Sequence, residues 1–497
     1  MSNNLLKINT KDNVAVAVFE IKKGDKLENL IALNDIKVGH KIALDDINEG
    51  AEIIKYGEVI GFAKANILTG ELVHTHNVKT TLDGDFVYNY NPKQKTSTVT
   101  PTDTPTFMGY RRDNGTVGTR NDIWIIPTVG CVNKTAEYLA KVANEKGYEG
   151  VDNVIALTHP YGCSQMGDDH ENTKNLLAAL TKNPNAGGVF IISLGCENNT
   201  IDSFKTALNG FDSNKTAFIV TQECVDEFKE GMLLLDKLAA NVSAERVLVP
   251  SSELVLGLKC GGSDAFSGIT ANPLLGALTD YHISLGGKAV LTEIPETFGA
   301  EHILMNNAKD EYIFEEIKRT VNDFKDYYKS NNQVVYENPS PGNKDGGITT
   351  LEEKSLGCIT KGGDNAVTAV YGYAEPMREN EGAGLLLLNG PGNDIVATTA
   401  LTAIGANIIL FTTGRGTPLG GIVPTLKIAT NSNLAKNKAN WIDFDAGKLL
   451  DKSDLTLDDL ARELYNEILQ VASGKKAAKN EIYGYSEIAI WKKGVTL

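Results

Sequence analysis

A repeated texture constrains this chain most. From Gly109 onward, apolar β-rich runs each end in a polar, glycine-bearing loop that leads into a helical pattern. DIWIIPTVGCVNKTAEYLAKVANEKG, NVIALTHPYGCSQMGDDHENTKNLLAAL, GGVFIISLGCENNTIDSFKTAL and KAVLTEIPETFGAEHILM are the clearest units. Such a succession predicts a largely parallel sheet with helices on both faces and a ligand crevice beyond the carboxyl ends of its strands. After a Gly/Asn-rich break at SPGNKDGG, GLLLLNGPGNDIVATTALTAIGANIILFTTGRG predicts a further α/β unit. The units share a pattern and not a sequence, so no internal repeat is inferred.

The residues ahead of Gly109 read differently. Short β-runs such as NVAVAVFEI and EIIKYGEVIGFAKA are separated by Gly, Asp and Asn with no long amphipathic helix between them, which predicts a small all-β module over residues 1–84. The Pro/Thr-rich stretch that follows, over residues 85–108, has the composition of a linker. Residues 109–345 are expected to form one α/β domain and residues 346–497 a second, C-terminal one. The fold class is therefore α/β with an all-β N-terminal module.

Composition excludes several function classes. A net charge of −15 argues against broad nucleic-acid binding. No apolar run approaches the roughly 20 residues of a membrane helix, and the N-terminus lacks the pattern of a secretion signal, so the cytoplasm is expected. Six cysteines, several beside glycine in polar loops, fit metal or catalytic thiols in a reducing compartment better than a disulfide framework. Homo-oligomerisation is left open.

The unusual side chains cluster in position. Cys131, His159, Cys163, Cys196, Glu293 and Glu296 all fall just past an apolar strand-like run, so one sheet edge could gather them. THPYGCSQMGDDHENT brings His159 and Cys163 around a tight turn with His170 near a helix start. Imidazole and thiolate together suit iron, zinc or copper better than Mg²⁺ or Ca²⁺; the plain alternative is a helix capped by Asp168 or Asp169 with an exposed His170. LGCENN adds Cys196 and Glu197, and LKCGGSDAFSGITANP adds Cys260 with Asp264 close by. Cys224 and Cys358 lack a polar glycine setting and are ranked as structural. His74 and His76, two apart, would face one side of a strand and share an ion or a substrate, or else be two solvated side chains. Arg111, Arg112, Arg120 and Arg415 offer planar forks for a carboxylate, and the glycines around Arg415 would let backbone N–H groups approach the same anion. One of Arg111 and Arg112 is expected to be a surface charge. NGPGND lacks the spacing of a phosphate loop, so nucleotide binding is rejected and its glycines are read as allowing a close approach to substrate.

Taken in order, HTHN at 74–77, GYRRDNGTVGTRN at 109–121, HPYGCSQMGDDHENT at 159–173, LGCEN at 194–198, CGGSDAFSGITANP at 260–273, TEIPE at 292–296 and FTTGRGTP at 411–418 resemble the altronate/galactarate dehydratase family along nearly the whole chain. The resemblance implies that the β-module is of SAF type, that Fe²⁺ or Mn²⁺ is required, and that a six-carbon sugar acid is dehydrated to a 2-keto-3-deoxy product. The segment around His170 and the C-terminal NWIDFDAG and EIAIWKKGVTL favour D-altronate, giving 2-dehydro-3-deoxy-D-gluconate. Galactarate dehydratase, a sulfolactate-type lyase and a non-catalytic sugar-acid-binding protein are the competing readings. The implied chemistry removes the proton alpha to a carboxylate, which calls for stabilisation of enediolate-like charge and help for the departing hydroxide. His170 is expected to be the base, with His159 and Glu296 as rivals. Cys163, Cys196 and Cys260, with His159, are the expected metal ligands, and three such thiols also suit an iron–sulfur cluster. His74, His76, Arg112, Arg120, Asp264 and Arg415 are expected to bind substrate.

Overall fold

In the computed structural model, residues 5–27, 29–82, 87–92, 99–101, 103–451 and 454–494 are described. Parts of the expected linker, residues 85, 86, 93–98 and 102, lie outside the described residues, as do the last three of the C-terminal motif.

The N-terminal region is all-β. Leu5–Leu6, Val14–Ala17, Lys41–Ala43 and Leu72–Val73 form an antiparallel sheet, and Glu52–Lys55, Glu58–Ala63 and Val78–Lys79 form a second. Ala15, Ala17, Ile21, Ile36 and Ile42 pack as its core. Lys41 and Lys55 are buried with their ammoniums on Glu353, at 2.9 and 2.8 Å, and thereby fasten this region to the C-terminal half.

Next comes a four-stranded parallel sheet, in the order Val154–Ala156, Asp122–Pro127, Ala186–Ser193, Thr216–Val220. Ile123 and Ile125 pack with the helices Asn133–Lys146 and Glu227–Val242, while Trp124 and Ile126 pack with Gly167–Leu180 and Ile201–Leu208. Cover on both faces is why these strands read as continuous apolar runs and not as alternating ones.

The third layer is a seven-stranded parallel sheet ordered Val367–Tyr371, Gly384–Leu388, Lys288–Leu291, Val255–Cys260, Ile408–Thr413, Thr425–Ala429, Phe444–Asp445. It takes strands from both sides of residue 346, so the boundary expected there cuts through a sheet, and the division falls near residue 250. Periodicity misplaced it because the break at SPGNKDGG is a surface loop inside one domain. Val255–Cys260 is central, with the helix Ala271–Ser284 packed on one face and Asp394–Ile404 on the other. The chain moves outward from it in both directions, which makes its carboxyl end a switch point where ligands gather.

The two parallel sheets run the same way. Asn407, just before Ile408–Thr413, accepts at its carbonyl from Thr119 Oγ1 and Asn185 Nδ2 at 3.0 Å each. Its amide oxygen accepts from Val255 N–H at 3.1 Å and its amide nitrogen donates to Val117 O at 3.0 Å. This asparagine ties the amino edges of both sheets together, so both carboxyl edges open on the opposite side. Among the described residues no helix is long and apolar enough to cross a membrane.

Candidate active site

The carboxyl end of Val255–Cys260 delivers Lys259 and Cys260 into a buried cluster of charged and thiol groups. Glu293 follows the neighbouring strand and sits at φ 69°, a left-handed conformation unfavourable for a residue with a Cβ. That bend starts the short 3-10 helix Ile294–Thr297 and turns Glu296 inward. The helix Leu351–Ile359 is buried along its whole length, and it presents Lys354 and Cys358, four apart, on one face. Lys361 follows immediately.

Cys260 Sγ lies 2.9 Å from Glu296 Oε2 and 3.3 Å from Cys358 Sγ, and Cys358 Sγ is 3.4 Å from the same carboxylate oxygen. Lys361 Nζ is 3.0 Å from Cys260 Sγ, and Lys354 Nζ is 2.7 Å from Glu296 Oε1. Lys259 Nζ reaches Glu293 Oε1 and Asp394 Oδ1, each at 2.5 Å. Burial works against the Glu296 carboxylate, but the ammoniums of Lys354, Lys259 and Lys361 overcome it and hold the carboxyl down at about 2. Cys358 and burial push the Cys260 thiol well up. Burial, Cys260 and Glu296 push the Glu293 carboxyl upward too, while Lys259 and Lys361 pull it back. With an ammonium at 2.5 Å and the Cys260 N–H donating at 3.0 Å, the ion-pair geometry is that of a carboxylate.

Above the cluster opens a cavity of about 800 Å³, whose lining includes Cys260, Glu296, Lys354, Asn338, Lys344 and Asp394. Asn393 caps the helix Asp394–Ile404 from the cavity wall, and Gly392 passes the cavity beside it. The NGPGND turn thus runs along the binding space.

A metal fits this cluster on charge and on spacing. Donor atoms of Cys260, Glu296 and Cys358 lie within 4.8 Å of one another and all three residues are buried. Three ammoniums, Lys259, Lys354 and Lys361, stand against three carboxylates, Glu293, Glu296 and Asp394, so the set is balanced with both thiols protonated. Two thiolates would add two negative charges, which one divalent cation cancels.

The residues singled out from sequence fall into two groups. Cys260 and Glu296 are in the cluster. Cys131, His159, Cys163, Cys196 and His170 belong to the other sheet, so the single gathering edge expected for them is in fact two edges of two sheets. Cys163 and Cys196 are exposed there, apart from the Cys260 cluster. His159 is not a ligand or base as it stands: Nε2 is 2.8 Å from Pro127 O and Nδ1 accepts from Tyr161 N–H at 3.2 Å, while burial pulls its pKa down to about 4. His170 lies in the first turn of Gly167–Leu180, with Nδ1 buried and without a hydrogen-bond partner.

The expected anion site is largely structural. Arg112 donates to Pro184 O, Asn121 Oδ1 and Arg120 O at 2.6 to 2.9 Å, and Arg120 clamps Glu481 at 2.6 and 2.9 Å. Asp264 is buried and accepts from Thr430, Ser267, Asn431 and the Phe266 N–H. Arg415 pairs with Asp345 at 3.2 Å near the cavity rim, but the N–H groups of Gly414, Arg415 and Gly416 are spent on Gly262 O and Thr413 Oγ1. His74 and His76 lie in a turn and not on a strand. His74 Nε2 is 2.9 Å from Lys344 O and its ring stacks on His40, whereas His76 is exposed.

Sequence reasoning missed Cys358, Lys354, Lys361, Lys259 and Asp394. For Lys354, Cys358 and Lys361 the available signal was LEEKSLGCITKGG, where two lysines and a cysteine recur at four- and three-residue spacing and so share one helical face.

An all-β module joined to two parallel α/β layers, with a buried thiol–carboxylate–lysine cluster under a cavity at a strand switch point, defines a small-molecule enzyme. Family models match in sequence: "Altronate/galactarate dehydratase SAF domain" over residues 3–81, "D-galactarate dehydratase/Altronate hydrolase, second domain" over 109–243, and "D-galactarate/Altronate dehydratase, C-terminal" over 251–496. The altronate dehydratase of Bacillus subtilis (strain 168) is 48% identical over 99% of this chain and 100% of its own length. That of Escherichia coli (strain K12) is 47% identical over 99% of both chains. Galactarate dehydratase (L-threo-forming) of Escherichia coli (strain K12) is 32% identical over 98% of this chain and 96% of its own. The chain belongs to the D-galactarate/altronate dehydratase family and is a hydro-lyase.

Proposed function

We propose that this chain dehydrates D-altronate to 2-dehydro-3-deoxy-D-gluconate in the cytoplasm, in the cavity over Cys260 and Glu296. The observation that carries the reading of the site is the buried donor set of Cys260, Glu296 and Cys358 at the floor of that cavity. The choice of altronate is supported by identity of 47–48% to altronate dehydratases against 32% to the galactarate enzyme.

Cys260, Cys358 and Glu296 would hold the metal, and two thiolates with one carboxylate suit Fe²⁺ better than Mn²⁺. When bound, the ion would supply Lewis acidity toward the oxygens of the sugar acid. The remaining work falls to the protein's own side chains. Lys354 and Lys344 place positive charge where a substrate carboxylate enters, and Asn338 offers an amide to its hydroxyls. Glu296 is occupied by the thiols and Lys354, which leaves Asp394, on the cavity wall, to take the C2 proton. Lys259, 2.5 Å from Asp394 Oδ1, keeps that carboxylate positioned.

The test is a product assay. Anaerobically prepared, iron-loaded protein is offered altronate, galactarate and sulfolactate, and formation of a 2-keto-3-deoxy acid is followed with and without chelator. Altronate turnover that chelation abolishes is expected. Absence of keto product from altronate with metal bound would remove this reading.

A further inference from the structure

The carboxyl edge of the four-stranded sheet carries three thiols that this reaction scheme does not use. Cys131, Cys163 and Cys196 are all exposed, and each sits in the loop that follows one of three adjacent parallel strands. Cysteine is ordinarily among the most buried residue types, so three exposed thiols on one sheet edge need a reason.

The three loops form one fixed platform. Gly130 N–H donates to Tyr161 O at 2.8 Å, Asn199 N–H to Gly162 O at 3.1 Å, Ser164 N–H to Asn198 Oδ1 at 2.8 Å and Asn199 Nδ2 to Thr128 O at 3.1 Å. Gly162 sits at φ 100°, and a Cβ there would fall 2.0 Å from Thr128 O, so the Cys163 loop is pressed against the Cys131 loop. Glu197 fixes the third loop by accepting from Thr128 Oγ1 at 2.6 Å and from Gly195 N–H at 2.7 Å.

As they stand, the three sulfurs are not drawn together as one small ion would hold them. A tetrahedral ion with bonds near 2.3 Å holds its sulfurs about 3.8 Å apart. Among the described residues, the donor triple lying within 4.8 Å is Cys260, Glu296 and Cys358, and these three thiols are not one. A cubane cluster binds each cysteine through a different iron and so takes a wider set.

We infer that Cys131, Cys163 and Cys196 bind a [4Fe–4S] cluster whose fourth iron stays open to an oxygen ligand of a small molecule, a carboxylate or a hydroxyl. On binding a preformed cluster, each thiol gives its proton to solvent as one Fe–S bond forms, with no change in oxidation state. Both sheet edges open on the same side, and the C-terminal tail joins them: Lys493 and Gly494 N–H groups donate to Asp169 at 2.7 Å, at the start of the helix bearing His170. The buried, unpartnered Nδ1 of His170 lies in that same first turn.

The full chain is purified and reconstituted anaerobically with iron, sulfide and dithiothreitol, then assayed for iron, acid-labile sulfide and visible charge-transfer absorption. About four sulfides per chain are expected in the wild type and in C358S. At least a fivefold loss is expected in C131S, C163S and C196S, each with wild-type circular dichroism. Should a variant fail to fold, alkylation of the wild type decides: the cluster must shield these three thiols from a maleimide. Wild-type sulfide in the triple serine variant, unshielded thiols after reconstitution, or one zinc per chain held by these thiols without sulfide would each overturn the assignment.

Discussion

Replacing Glu296 with glutamine tests the electrostatics of the cluster directly. The wild-type carboxylate is buried, 2.7 Å from the Lys354 ammonium and 2.9 Å from the Cys260 thiol. Its surroundings lower its pKa from an ordinary 4.5 to about 2, which corresponds to about 3 kcal/mol favouring the charged form. Removing one partner of a buried ion pair costs ~3–5 kcal/mol by an independent route, because the other charge is left uncompensated. Metal-free E296Q should therefore lose about 3 kcal/mol at pH 7 in urea denaturation followed by circular dichroism, with an unchanged dependence on denaturant. The sign follows from the lowered folded-state pKa: the contribution is fully present above about pH 4.5 and is lost as pH falls toward 2. The gap between wild type and variant should thus close on acidification through that window. A loss below about 1 kcal/mol at pH 7, or a gap that stays constant from pH 5 to the acid limit of folding, would refute the reasoning.

Other consequences follow from the same geometry. Serine in place of Cys358 should weaken iron binding at the Cys260 cluster by on the order of 100-fold, read by competition with a chelator. The thiol of Cys260 is pushed well up, and binding through two thiolates releases two protons from the charge-balanced cluster; apparent affinity should rise about a hundredfold per pH unit between pH 6 and 8, and a flat profile would contradict this. Glu353 is held by Lys41, Lys55 and Thr349, and E353Q should cost ~3–5 kcal/mol and loosen the N-terminal module, seen as faster hydrogen exchange in residues 41–63. Because both ring nitrogens of His159 serve the backbone, H159Q should destabilise the second domain by about 1–3 kcal/mol while leaving iron at the Cys260 cluster unchanged.

Much of this protein is written locally. The apolar runs at 122–127, 186–193 and 408–413 determined parallel strands buried on both faces, and the glycine-bearing loops after them determined where polar chemistry would surface. Short β-runs with no helical period between them determined the all-β start. Cys260 stood out as a candidate beside a glycine-rich turn and Glu296 just past an apolar run, both positions visible in one dimension.

Which strand ends face one another was decided by tertiary structure alone. Sheet order is a long-range property, so nothing local could say that Cys163 and Cys196 end strands of one sheet while Cys260 ends a strand of another. The same holds for Lys354, Cys358 and Lys361: on a helix they read as surface charges and a small apolar residue, and only burial of the whole helix against Glu296 turns them into a counter-charge and a ligand. Conversely, Arg112, Arg120 and His159 carry the chemistry of recognition but are consumed by backbone carbonyls and Glu481, since a buried polar group takes the nearest partner the fold supplies.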